Sequence, residues 1–151
     1  LFVAAGTRAR IFFDAPENCP ALTATPAVQL DMQSNSRIAA TSGDPTAVSL
    51  LFVGSDTRAT RVNLNSNSQV DGDCEHQFVI YGPKTDISMN SNSVYCGAIA
   101  GKTVAMNSNA RVLADSRTTG FELPGVAPHY TVERFVECPS QPTSAAPDGG
   151  C

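Results

Sequence analysis

Leu30-Asp31-Met32-Gln33-Ser34-Asn35-Ser36-Arg37-Ile38 is the first copy of a motif that returns three times. The later copies are Val62-Asn63-Leu64-Asn65-Ser66-Asn67-Ser68-Gln69-Val70, Ile87-Ser88-Met89-Asn90-Ser91-Asn92-Ser93-Val94-Tyr95 and Val104-Ala105-Met106-Asn107-Ser108-Asn109-Ala110-Arg111-Val112. Each reads apolar, any, apolar, Gln or Asn, Ser, Asn, Ser or Ala, any, apolar. Agreement at this many positions marks an internal repeat, the signature of stacked architectures. Two apolar residues separated by one lie on the same face of a strand. The Ser-Asn run then bends the chain, and the closing apolar residue starts a second strand.

The central asparagines, Asn35, Asn67, Asn92 and Asn109, are separated by 32, 25 and 17 residues. The shortest interval is closest to an undecorated unit, and the longer ones carry insertions. Seventeen residues at about 3.3 Å each trace roughly 56 Å, a sensible circumference for one coil of a β-solenoid. In such a coil the repeated Leu and Met positions stack into an apolar ladder. The four asparagines stack at about 4.8 Å and can bond their amides along the axis. The fold class expected is therefore all-β, a β-solenoid with short coils of about 17 residues plus insertions. An ordinary antiparallel sandwich is the plainer alternative, but it does not require one bend to recur.

Further β-rich runs precede the later bends: Val48-Ser49-Leu50-Leu51-Phe52-Val53, Phe78-Val79-Ile80-Tyr81 and Gly97-Ala98-Ile99-Ala100. Gly54, Gly82 and Gly101 follow them at corners where small size or positive φ is useful. No stretch sustains helical periodicity. Residues 1–13 read as an opening strand pair and residues 15–27 as a loop holding Cys19. The repeat core spans residues 28–115. Residues 121–138 read as a capping segment over the last coil, whose edge would otherwise recruit other chains. Residues 1–137 are thus expected to form one domain, followed by a Pro/Ser/Gly-rich tail at 138–151.

The 151 residues carry 42% hydrophobic and 16% charged side chains and a net charge of −4. No basic surface is available to displace counterions from phosphates, so nucleic acid is not an expected partner. The longest apolar stretch is far short of the roughly 20 residues a membrane helix needs, so no membrane insertion is expected. Five cysteines occur, at 19, 74, 96, 138 and 151, without a C-x-x-C pair and with only two histidines, His76 and His129. That favours disulfides over metal, and hence an oxidising, extracytoplasmic location. Cys138–Cys151 would tether the tail, contributing about 3 kcal/mol by loop entropy. Cys74–Cys96 would staple neighbouring coils, leaving Cys19 unassigned. The chain opens at Leu1 in an apparent strand, so it is expected to be a processed or excised C-terminal piece whose targeting signals lie outside it.

Few residues suggest chemistry. Residues 97–103 resemble a phosphate-binding loop, but three residues rather than four separate the glycines and a strand follows. Asp71, Asp73 and Glu75 alternate, so an extended segment would set three carboxylates on one side as a weak Ca²⁺ site. A surface turn at Gly72 is the plainer reading, and no cofactor is expected. Neither histidine accompanies a nucleophile-elbow pattern. The absence of Trp weakens a glycan-stacking site, and the repeated Ser and Asn do not form the Thr ranks of an ice-binding face.

The repeated bends, together with Val94-Tyr95-Cys96-Gly97-Ala98-Ile99-Ala100-Gly101-Lys102-Thr103-Val104, resemble a bacterial extracytoplasmic domain of unknown function. That domain is found C-terminal to PilX-like, type IV pilin-like regions of secreted or pilus-associated proteins. The resemblance covers about residues 28–112, and Tyr130-Thr131-Val132-Glu133-Arg134-Phe135-Val136-Glu137-Cys138 resembles the end of actinobacterial members. Ser34, Ser66, Ser91 and Ser108 stand where that family commonly has Gly. The resemblance implies a right-handed parallel β-helix outside the cytoplasm and supplies no catalytic residues. The function expected is a non-catalytic structural or adhesive module, secreted or on the cell surface. Its expected partners are other surface or pilus subunits, further copies of itself, or surface glycans. The alternatives are a polysaccharide-active enzyme on the same scaffold, which would need clustered carboxylates in a groove, and a self-assembling fibre subunit.

Overall fold

A computed structural model describes residues 1–33, 36–65, 76–89, 94–107 and 109–119. The chain divides into two compact units, Leu1–Phe121 and Glu122–Cys151. The second unit and the expected cap over 121–138 lie outside the described residues. The first is all-β: nine strands and three single-turn 3₁₀ helices, with no α-helix among the described residues. In chain order the strands are β1 (Phe2–Val3), β2 (Ala9–Phe13), β3 (Ala27–Met32), β4 (Ala39–Ala40) and β5 (Val48–Phe52). There follow β6 (Thr60–Leu64), β7 (His76–Met89), β8 (Val94–Met106) and β9 (Arg111–Ala114).

All the strand pairs described are parallel. β1 pairs with β4, a larger sheet runs β2-β5-β7-β6-β3, and β8 and β9 add in turn to β7. The expected opening strand pair is therefore two strands that join different partners, β4 and β5. Parallel neighbours cannot be joined by a tight hairpin, so the chain must travel a full crossover between them. Among the described residues those crossovers are strands, loops and single-turn 3₁₀ helices, not α-helices.

The register follows the sequence repeat. Leu30 lies beside Val62, Val62 beside Ile87, and Ile87 beside Val104. Two residues on, Met32, Leu64, Met89 and Met106 form a second column. A third column runs Ile11, Leu50, Ile80 and Ile99. Val62, Leu64, Ile87, Met89, Leu50 and Ile80 are fully enclosed in the core. Burying each such side chain is worth about 1.5–3 kcal/mol, which is why the apolar positions of the motif fix its register. Phe13 stacks on Phe52 at 4.2 Å, and Phe78 meets Tyr95 edge-on at 5.8 Å.

The spacing expected for a bare unit reappears between neighbouring strands. Val94 pairs with Arg111 and Asp86 with Thr103, each 17 residues on. Gly82 pairs with Gly101, an offset of 19, so the register slips by two residues around Pro83 and Lys84. Thr60 and Thr85 are buried at that corner, where the Thr60 hydroxyl bonds the Lys84 carbonyl at 3.0 Å and the Thr85 hydroxyl at 3.1 Å. One position departs from the repeat. The Gln77 N–H donates to the Ile38 carbonyl (3.1 Å), as the Asn65 N–H donates to Met32 (3.0 Å) one residue past Leu64. His76 thus stands beside Ile38, and it pairs with Tyr95. The repeat assigns that place to Val70, which lies outside the described residues.

The corner glycines also divide. Gly54 has φ +68°, as expected of a left-handed corner. Gly82 and Gly101 do not have positive φ; a Cβ at Gly82 would meet Phe52 Cβ at 3.1 Å, and one at Gly101 would meet Ile87 Cδ1 at 2.8 Å. At these two corners the requirement is small size.

Candidate interaction surface

Exposed large apolar side chains are unevenly distributed. Among the described residues, and apart from Val53, they sit on or beside the first members of the strand columns (Leu1, Phe2, Phe12) or on the last (Val104, Met106, Leu113). The reason is positional. Val104 and Met106 continue the columns of Val62–Ile87 and Leu64–Met89, but no described strand follows the 103–106 part of β8. They are 42% and 48% exposed although the motif gives them core identities. Leu113 on β9 is 45% exposed for the same reason.

The sides of the stack differ from its ends. On β5, Val48, Leu50 and Phe52 enter the core, yet the alternate residues Ser49 and Leu51 are buried as well. Val79 on β7 and Cys96 on β8 are likewise buried outside the core cluster. A strand buried on both faces reads as a near-continuous apolar run, as β5 does except at Ser49. Along β6, β7 and β8 the outward column Arg61, Asp86, Thr103 is polar and not fully buried, and Thr103 donates its hydroxyl to Asp86 Oδ1 at 2.6 Å.

Two polar clusters anchor loops to this frame. The Arg58 guanidinium donates to the carbonyls of Pro16 (3.3 Å), Leu22 (2.5 Å) and Ala24 (3.0 Å), clamping the loop that holds Cys19. In the same loop Glu17 Oε1 accepts from the Ser55 hydroxyl and, at 2.6 Å, from Thr57. Those hydroxyls, Ser55 first, hold the Glu17 carboxyl below its ordinary range. At the far end Asp115 accepts from the Arg117 side chain and its N–H (2.9 Å), which lower its carboxyl to about 2. Arg117 in turn reaches the Gly43 carbonyl at 2.8 Å. No sequence motif signals the long-range part of these clusters, because the acceptors are backbone carbonyls or, for Ser55 and Thr57, a carboxylate about 40 positions away; only the Asp115–Arg117 pair is local.

The residues singled out in the sequence are distributed as follows. Asn109 is exposed, whereas Asn35, Asn67 and Asn92 lie outside the described residues, so the amide ladder does too. Cys96 is disulfide-bonded. Cys19 is a free thiol, and Cys74, Cys138 and Cys151 lie outside the described residues. The Ca²⁺ candidates Asp71, Asp73 and Glu75 lie outside them as well; among the described residues no three His, Cys, Asp or Glu side chains are placed to hold a metal. Residues 97–103, the phosphate-loop lookalike, run within strand β8 with Lys102 exposed. Among the described residues no helix is long and apolar enough to cross a membrane. Comparison of the whole chain with protein-family models, curated proteins and solved structures finds no match.

Proposed function

We propose that this chain is a non-catalytic structural and adhesive module of a secreted or cell-surface protein, built as a right-handed parallel β-helix. The observation that carries the reading is the parallel, in-register stacking of the apolar positions that open the repeated motif, in the columns Leu30–Val62–Ile87–Val104 and Met32–Leu64–Met89–Met106. A stack of this kind spends its sequence on repetition and offers long lateral faces for display. The Cys96 disulfide supports a location outside the reducing cytoplasm. The polar column Arg61–Asp86–Thr103 supplies a lateral face for contact with other surface subunits or glycans.

Antibodies against the purified chain test this on intact producing cells. Surface labelling that external protease removes is the expected result. Labelling that appears only after lysis overturns the extracytoplasmic reading.

A further inference from the structure

We propose that a second copy of this chain stacks head to tail on the last strands of the first, β1, β2 and β3 of one copy adding in parallel to β9 and β8 of the other. The inference rests on the solenoid reading above and names the partner of its exposed end. Both edges carry the same kind of strand, since among the described residues each of β1, β2 and β3 has a single strand neighbour and β9 pairs with β8 alone. An unpaired parallel edge is a template for another chain, and a head-to-tail contact repeats without closing.

What selects a second copy is column continuity. Val104 and Met106 end the columns that Leu30 and Met32 begin. Leu113 ends a column that runs back through Cys96 and Gln77 to Ala39 and Phe2, the step from Gln77 to Ala39 following from the Gln77–Ile38 hydrogen bond. One further step of the same register therefore lays Phe2 (62% exposed) on Leu113, and Leu30 on Val104. Phe12, 67% exposed, begins the column Leu51–Tyr81–Ala100 and comes to rest on the small, exposed Ala100. Arg10 continues onto Ala98 and Asp31 onto Ala105, so no like charges meet in these columns. The last described residues turn toward the connection into β5, where Arg117 is bonded to the Gly43 carbonyl.

The test uses the full chain in a Cys19→Ser background, with and without Phe2→Cys plus Leu113→Cys, under mild oxidation that keeps the native disulfide. Expected are a mass in sedimentation velocity that climbs with concentration from 15.8 kDa and a non-reducing gel ladder of successive multiples for the cysteine pair. Met106→Lys should weaken the association at least about tenfold, equivalent to ~1.4 kcal/mol, with unchanged far-UV circular dichroism. A monomer at every concentration, a species that stops at the dimer, or assembly indifferent to Met106→Lys overturns the proposal. A monomer in which the thiol introduced by Leu113→Cys is protected from alkylation also overturns it, assigning that end to the chain's own later residues. Hydrogen exchange separates this failure from failure of the fold. Protected amides in β6 and β7 with a monomeric mass leave the solenoid standing, whereas rapid exchange there removes both.

Discussion

At Gly97 the backbone takes φ +141°, and a Cβ built there would overlap the Phe78 carbonyl oxygen. Phe78 is its register partner, so the clash is with backbone that the sheet holds in place. At Gly6, φ is +78° but a Cβ would meet nothing within 4 Å. Gly6→Ala should therefore cost only the left-handed penalty of about 1–2 kcal/mol. Gly97→Ala should cost about 4 kcal/mol or more, because the strand pair must separate. Urea unfolding of the two variants decides it, and equal losses would show that the β7–β8 approach is looser than described. The Asp115 carboxylate offers a second test at this scale. Its folded pKa of about 2 lies below the ordinary 3.8, so its interaction with Arg117 favours the folded state above pH 3.8. That contribution fades as pH falls from 3.8 through about 2. Carbon-detected NMR should show a titration midpoint near pH 2 for Asp115, together with loss of the Arg117–Gly43 contact over the same window. A midpoint at 3.8 would mean that the carboxylate is not held by Arg117.

Among strands, one motif position gives a direct test of register. Met89 and Met106 are the same residue in the same column, one fully buried and the other 48% exposed. Met89→Ala should cost about 2–5 kcal/mol through transfer and cavity terms. Met106→Ala, measured at concentrations where the chain is monomeric, should stay within about 0.5 kcal/mol. Similar losses at both sites would mean the last column is covered. This contrast also shows how far the sequence could be read. The apolar positions of the motif predicted which residues stack, because a one-residue slip would turn Leu64 or Met89 outward. The 17-residue spacing was legible for the same reason. His76 in place of Val70 was not legible, since an insertion between Asn65 and His76 has no apolar pattern to announce where pairing resumes. The corner glycines were legible as corners, but not in their cause. Only Gly54 needs a positive φ, while Gly82 and Gly101 answer to Phe52 and Ile87, neighbours distant in sequence. The Arg58 clamp was invisible because its carbonyl acceptors carry no side-chain signature. Of the candidate surface, the apolar identities of Val104 and Met106 were readable. Their exposure depends on which strand is last.

For the whole molecule, the balance is between a narrow core and the entropy of its long connections. Residues 14–26 and 53–59 link strands of one parallel sheet, so each must be ordered without a sheet of its own. A covalent link that removes freedom from the unfolded chain matters more in such a fold than in one built from hairpins. Cys96, buried at the start of β8, is disulfide-bonded and Cys19 is a free thiol in the clamped loop, which leaves the other three cysteines to supply the partner of Cys96. The pairing expected from chain position is Cys74–Cys96, with Cys138–Cys151 closing the tail. A non-reducing peptide map, with free thiols alkylated before digestion, should give these two bridged species and a singly alkylated Cys19 peptide. Removing the Cys96 bridge by Cys96→Ala should lower stability by about 2–4 kcal/mol, whereas Cys19→Ala should leave the unfolding midpoint nearly unchanged. Recovery of Cys19 in a bridged peptide would move the covalent link into the N-terminal loop and reverse the order of the two variants.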